Sequence, residues 1–80
     1  MAKFDVADLE LKLARGKGVA NVTIPGADVR ELLSIADRAD DPRIEKLKRV
    51  RKNSEQPEVK LNGQEYRALL TLAVKAQKHC

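Results

Sequence analysis

Aromatic residues are almost missing from this 80-residue chain, which contains only Phe4 and Tyr66 and no tryptophan. Proteins that bind single-stranded nucleic acid stack bases on aromatic rings, so this mode of binding is not favoured. The core must be aliphatic, and a core in a chain of this length lies near the lower limit for independent folding. Association into a homodimer is therefore among the expectations.

Cysteine and long apolar runs are equally scarce. The single cysteine, Cys80, cannot form a disulfide within the chain, which is typical of a protein in a reducing compartment. No apolar run approaches the ~20 residues that a membrane span requires. Residues 1–12 also lack the uninterrupted apolar segment of a signal peptide. We therefore expect a cytoplasmic protein with no membrane partner.

Residues suited to catalysis or metal binding are few. Nucleophilic catalysis needs a nucleophile, a base and an orienting group, yet the only histidine, His79, adjoins Cys80 at the end of the sequence. A structural zinc site needs four ligands, and these two residues do not supply them. The adjacent carboxylates Asp40 and Asp41 precede a helix start, where capping accounts for them. We expect no enzyme activity, no metal and no cofactor.

One sequence pattern occurs twice, in residues 22–39 and again in residues 59–76. In each copy, a short alternating run that is typical of a strand precedes apolar residues at helical spacing. Self-similarity of this kind indicates internal duplication. At a constant offset, the identical pairs are Val22/Val59, Gly26/Gly63, Arg30/Arg67, Leu32/Leu69, Leu33/Leu70, Ala36/Ala73 and Ala39/Ala76.

Residues 5–15 fit two periods, because alternating leucines suit a strand while the composition suits a helix. We predict a helix, since Asp5 can cap its start, with Phe4 and Leu9 spaced as a hydrophobic staple. Gly16 can end it in the left-handed conformation. Asn53, the next-best left-handed residue, occupies the equivalent position after residues 42–52.

The other boundaries follow from breaking and capping residues. Pro25 ends the first strand, and Asp41 before Pro42 restarts the chain as a helix. Asn62 and Glu65 have the spacing of a capping box. The predicted elements after the first helix are strand 19–24, helix 26–39, helix 42–52, strand 58–61 and a last helix that ends near residue 76.

These elements predict an α+β fold in one small domain, residues 1–80. It contains four helices and two short strands in two helix–strand–helix units, about 4–39 and 41–76. A two-stranded ribbon is marginal alone, so we expect helices to cover it or two chains to share a sheet. Gly26 and Gly63 follow the strands without a glycine-rich phosphate motif, which favours close packing over anion binding.

Positive charge is concentrated in residues 43–52, and the formal net charge of +4 favours an acidic partner such as nucleic acid. The alternative interpretation is a solvated face that keeps the protein soluble. The expected contacts with nucleic acid or an acidic protein surface lie opposite the apolar seam of this helix and at the equivalent corner of the first unit: Lys46, Lys48, Arg49, Lys52, Arg15 and Lys17.

The function that we predict is a small, non-enzymatic, basic binding module that associates with nucleic acid in a regulatory role. The alternative is a protein-interaction module, such as a small adaptor or inhibitor that docks on a larger protein. Both follow from the positive charge and the lack of catalytic residues, and composition does not separate them.

The order strand 19–24, helix 26–39 and helix 42–52 resembles that of ribbon-helix-helix DNA-binding proteins. In that family two chains pair their strands into a ribbon that enters the major groove. The resemblance implies that Asn21 and Thr23 face the bases. The chain departs from the family at Asp41-Pro42, which replaces a glycine and a small hydroxyl residue, and in having a second strand and helix. We therefore do not assign it to that family.

Overall fold

The computed structural model of the protein describes residues 5–78, and within them the fold is α+β, as predicted. A two-stranded antiparallel sheet lies against helices, and no helix in this range is both long and apolar enough to cross a membrane. The elements are α1 (Val6–Arg15), β1 (Asn21–Pro25), α2 (Gly26–Asp37), a 3-10 helix (Pro42–Leu47), α3 (Lys48–Asn53), β2 (Glu58–Asn62) and α4 (Gly63–Lys78).

The two strands form a ribbon within one chain, so no second chain is required to complete the sheet. Its inner face carries the apolar residues of both strands, which pack onto the helices. Its outer face is exposed along the whole length of both strands. The cross-strand pairs on the outer face are Asn21 with Asn62, Thr23 with Lys60, and Pro25 with Glu58.

The register of the ribbon relates the two predicted units. Thr23 pairs directly with Lys60, and these residues occupy equivalent positions in the repeated pattern. The N–H of Gly26 donates to the carbonyl of Pro57 at 2.8 Å, and that of Gly63 donates to the carbonyl of Ala20 at 2.7 Å. The offset that pairs the two copies of the repeat matches Gly26 with Gly63 and Ala20 with Pro57, so the two bonds are equivalent. A two-fold axis through the Thr23–Lys60 pair would relate the two units in this way. That the units arose by duplication stays a prediction.

The core lies beneath the ribbon, where α2 and α4 pack against each other. Leu32 and Leu33 of α2 and Leu69 and Leu70 of α4 are all buried, as their helical spacing predicts. Helix α1 packs on α4 through its single buried residue, Leu9, and α3 packs on α2. The helices thus cover only one face of the ribbon.

The prediction of one helix over residues 42–52 was wrong in type. The segment begins as a 3-10 helix and becomes α-helical only at Lys48. Ile44, Leu47 and Val50 recur every three residues, which is the period of a 3-10 helix and not that of an α-helix. The predicted start is confirmed, because the Asp41 side chain accepts from the N–H of Arg43 and Pro42 is the first helical residue.

The predicted left-handed helix ends were also wrong. Gly16 has a φ of −77°, and α3 continues through Asn53 to a right-handed Ser54. Among the described residues, positive φ angles occur at Gly18, in the connection after α1, and at Asp40, between α2 and the 3-10 helix. Gly16 instead lies close to Tyr66, since a Cβ there would be 2.9 Å from the ring and the ring would have to shift.

Two predicted helix starts are confirmed. The Asp5 side chain accepts from the N–H of Asp8 at 2.7 Å, which establishes residues 6–15 as a helix. Asn62 and Glu65 form a reciprocal capping box, with bonds of 2.8 and 3.1 Å. Phe4 of the proposed staple lies outside the described residues.

We expect Gly26→Ala and Gly63→Ala to destabilise the protein to similar extents. A Cβ at either position would overlap a backbone carbonyl oxygen, that of Gln56 or that of Val19, so the backbone must move. Overpacking of this kind costs about 3 kcal/mol at the upper end of its usual range. Urea denaturation measures the free energy of unfolding.

The control is Gln64→Ala, an exposed residue beside Gly63, which we expect to change stability by less than about 0.5 kcal/mol. If either alanine variant at a glycine is as stable as the wild type, the strand-to-helix junctions are not closely packed. A large difference between the two glycine variants would show that the junctions are not equivalent.

Candidate nucleic-acid interface

All three arginines of the basic segment 43–52 form ion pairs with carboxylates of the protein itself. Arg43 binds Asp41 through Nε and Nη2, at 3.0 and 2.9 Å. Arg49 binds Glu65, and Arg51 binds Asp37, again each through two nitrogen atoms. A guanidinium suits such bidentate pairing with a carboxylate. Arg49 thus joins the segment to α4 and Arg51 joins it to α2, while Arg43 binds the cap of its own 3-10 helix.

Asp41 is the most heavily bonded of these carboxylates. It is buried, caps the 3-10 helix, and accepts from Arg43 and from Nζ of Lys75 on α4 at 2.8 Å. The hydrogen bonds from Arg43 and then Lys75 hold the pKa of Asp41 well below its usual range. Asp41, which was predicted from the sequence to lie at a helix start, therefore also joins the 3-10 helix to α4.

Glu65 links the basic segment to the start of α4. It completes the capping box with Asn62 while its carboxylate pairs with Arg49 at 2.5 and 3.1 Å. The hydrogen bond from Arg49 lowers the pKa of Glu65, against the effect of burial. Arg49 was predicted to contact a partner, but its guanidinium is already bound to this buried carboxylate.

The three lysines of the segment have a different role. Lys46, Lys48 and Lys52 are exposed, and no carboxylate within residues 5–78 pairs with any of them. The segment thus uses arginine for internal pairs and leaves lysine ammonium groups in solvent. Flexible point charges of this kind can reach phosphates without any rearrangement of the fold.

The structure separates the other predicted residues. Arg15 is exposed at the end of α1, while Lys17 lines a shallow depression with Arg67 of α4. Arg67 was not among the residues predicted from the sequence, although the repeat pairs it with Arg30. Its equivalent, Arg30, donates to the carbonyl of Ser54 at 2.6 Å, and Arg67 donates to that of Gly16 at 3.3 Å.

The start of α4 brings two of the predicted lysines towards one surface. Gln64 and Asn62 line one depression with Arg67, and the same two residues line a second depression with Lys46. Arg67 continues into the depression that holds Lys17. We call this continuous strip the α4-start surface: Lys17, Lys46, Asn62, Gln64 and Arg67. Lys48, Lys52 and Arg15 do not line it.

The α4-start surface adjoins one end of the ribbon, because Asn62 belongs to both. Asn21, which the resemblance placed facing bases, is the cross-strand partner of Asn62, and Thr23 is that of Lys60. All four are exposed on the outer face. Lys60 and Asn62 were not selected from the sequence because their partners are set by the register of a pairing between distant segments.

We expect Asp41→Asn to lower the urea midpoint at pH 7, because asparagine keeps a capping oxygen but loses both charge-assisted pairs. The folded-state pKa of Asp41 is depressed, so its stabilisation is complete above the usual aspartate pKa of about 4 and is lost as pH falls through the folded-state pKa. The two urea midpoints should therefore converge only in strong acid.

Asp40→Asn is the matched control, since Asp40 is exposed and has a φ of 50° that asparagine tolerates. We expect it to denature like the wild type. Equal midpoints for Asp41→Asn and the wild type at pH 7 would contradict the role of Asp41 as the tie between the 3-10 helix and α4.

No group of three or more potential metal ligands occurs within the described range, and His79 and Cys80 lie outside it. Comparison of the chain with protein-family models, with curated proteins and with solved structures finds no match.

Proposed function

We propose that this protein binds duplex DNA, with the outer face of the ribbon in the major groove and lysines on the flanking phosphates. The observation that carries the proposal is an uncovered polar ribbon with cations next to one of its ends. Asn62, at that end, lines one depression with Lys46 and another with Arg67, and Arg67 lines a third with Lys17.

The ribbon has the dimensions and chemistry for this role. The major groove of B-DNA is about 12 Å wide and admits a two-stranded β-ribbon. The outer residues Asn21, Thr23 and Lys60 are exposed, and all three side-chain types donate or accept hydrogen bonds at base edges. The helices lie on the opposite face, so the ribbon can approach DNA without moving them.

The lysines supply the part of the affinity that does not depend on the DNA sequence. Neutralising phosphates releases counterions, and this term dominates non-specific binding to DNA. Lys46, Lys48 and Lys52 need not break an internal ion pair to contribute, whereas Arg43, Arg49 and Arg51 would have to do so. Of the six residues predicted from the sequence, we therefore propose Lys46, Lys48, Lys52 and Lys17 as phosphate contacts.

The exposed surface favours nucleic acid over a protein partner. The centre of a protein–protein interface is typically apolar and rich in aromatic residues. Within residues 5–78, the one large hydrophobic residue that is exposed is Leu11, on α1. Apolar side chains line the depression beside Lys17, where Leu13 and Ala14 lie, but they do not occur on the outer face of the ribbon among Asn21, Thr23, Lys60 and Asn62. A polar surface flanked by cations is typical of protein–DNA interfaces.

We expect the combined change of Lys46, Lys48 and Lys52 to Gln to weaken DNA binding and reduce its dependence on salt. Each lost phosphate contact removes about 0.9 from the slope of log K against log[salt], so three contacts remove about 2.7. Fluorescence anisotropy with a labelled duplex, measured at several salt concentrations, gives the slope. Urea denaturation checks that the fold is unchanged.

Arg38→Gln, compared with Lys46→Gln alone, is the matched control. It also removes one exposed charge, but Arg38 lies at the end of α2 and lines none of the three depressions that form the α4-start surface. We expect its salt slope to equal that of the wild type. If the wild type does not bind duplex DNA at low salt, the proposal is wrong, and a pull-down with Lys46→Gln then tests for an acidic protein partner.

A further inference from the structure

We infer that one chain of this protein recognises a non-palindromic DNA site, with Asn21 as the residue that reads an adenine. The inference rests on the proposed binding of duplex DNA and adds the symmetry of the target and the orientation of the protein on it. It follows from the register of the ribbon and from the chemistry at its two ends.

A ribbon built from two identical chains presents the same side chains at both ends, and such dimers bind palindromic sites. Here both strands belong to one chain, and the two-fold relation through Thr23 and Lys60 exchanges unlike residues. Asn21 is exchanged with Glu58, and Asn62 with Pro25. The two ends therefore cannot make the same contacts with bases, so the preferred site cannot be symmetric.

Charge gives the ribbon a direction. The end formed by Asn21 and Asn62 adjoins the α4-start surface, which contains Lys46 and Arg67. The opposite end carries Glu58 on the strand and Glu55 just before it, while Arg30, the equivalent of Arg67, also lies there and donates to the carbonyl of Ser54. On the outer face itself, Glu58 repels phosphates at the position where the other end presents the neutral Asn21, so the amide end should enter the groove more deeply.

Asn21 is available to read a base, whereas Asn62 is not fully available. The oxygen of the Asn62 side chain accepts from the N–H of Glu65 at 2.8 Å, as part of the capping box. The side chain of Asn21 is exposed and makes no hydrogen bond with any residue of the described range. A free carboxamide can bond to N6 and N7 of adenine at once, which is the most specific contact of asparagine.

Selection from a random duplex library tests the inference. Wild-type protein should enrich a non-palindromic sequence with an A·T pair at a fixed position, and titration should give one chain for each duplex. Asn21→Ala should lower the preference for that pair by about tenfold. Because the variant loses no charge, its salt slope should equal that of the wild type.

Gln56→Ala is the matched control. It removes an exposed carboxamide from the loop before β2, away from the outer face of the ribbon, and should leave the enriched sequence unchanged. Gln56→Ala and Asn21→Ala are both checked for folding by urea denaturation.

The outcomes are distinct. A palindromic consensus, two chains for each duplex, or an unchanged preference in Asn21→Ala overturns the inference. Salt-dependent binding without any sequence preference also overturns it but leaves the proposed function intact. Failure to bind duplex DNA at all removes both.

Discussion

Two backbone hydrogen bonds determine how the rest of the molecule is arranged. The N–H of Gly26, at the start of α2, reaches the residue before β2, and that of Gly63, at the start of α4, reaches the residue before β1. Each bond joins the beginning of one helix to the chain entering the other strand. Only glycine permits this approach, because a Cβ would overlap the neighbouring carbonyl. The bonds align the strands about Thr23 and Lys60 and leave α2 and α4 packed on the same face.

Buried carboxylates then fix the less regular part of the chain. Residues 42–53 change from a 3-10 helix to an α-helix, and they are joined to α4 through Asp41 with Lys75 and through Glu65 with Arg49. Each carboxylate also accepts from a backbone N–H at a helix start, Asp41 from that of Arg43 and Glu65 from that of Asn62, so one ionised group satisfies a backbone donor and orients a neighbouring element. The arginines are used in these pairs, and the lysines remain in solvent, so the same segment serves stability and binding through different residues.

Local signals in the sequence predicted much of the fold. Alternation in residues 22–24 and 59–61, the cap at Asp5 and the capping box at Asn62 all act between near neighbours, and the structure confirms each. The 3-10 helix was missed because a repeat every three residues was treated as a narrow α-helical stripe. Gly16 was misjudged because its partner is Tyr66, a residue distant in sequence. The sequence shows where positive charge is concentrated, but the division of the segment into paired arginines and unpaired lysines depends on tertiary contacts that no local pattern encodes.

In this protein, a single chain closes its own ribbon and presents one asymmetric outer face. Isotope-filtered NMR on a mixture of labelled and unlabelled protein tests this arrangement, since it separates contacts between Thr23 and Lys60 into those within a chain and those between chains. We expect every contact between β1 and β2 to arise within one chain. Contacts between labelled and unlabelled chains at this pair would show that two chains exchange strands, which would contradict a ribbon closed by one chain.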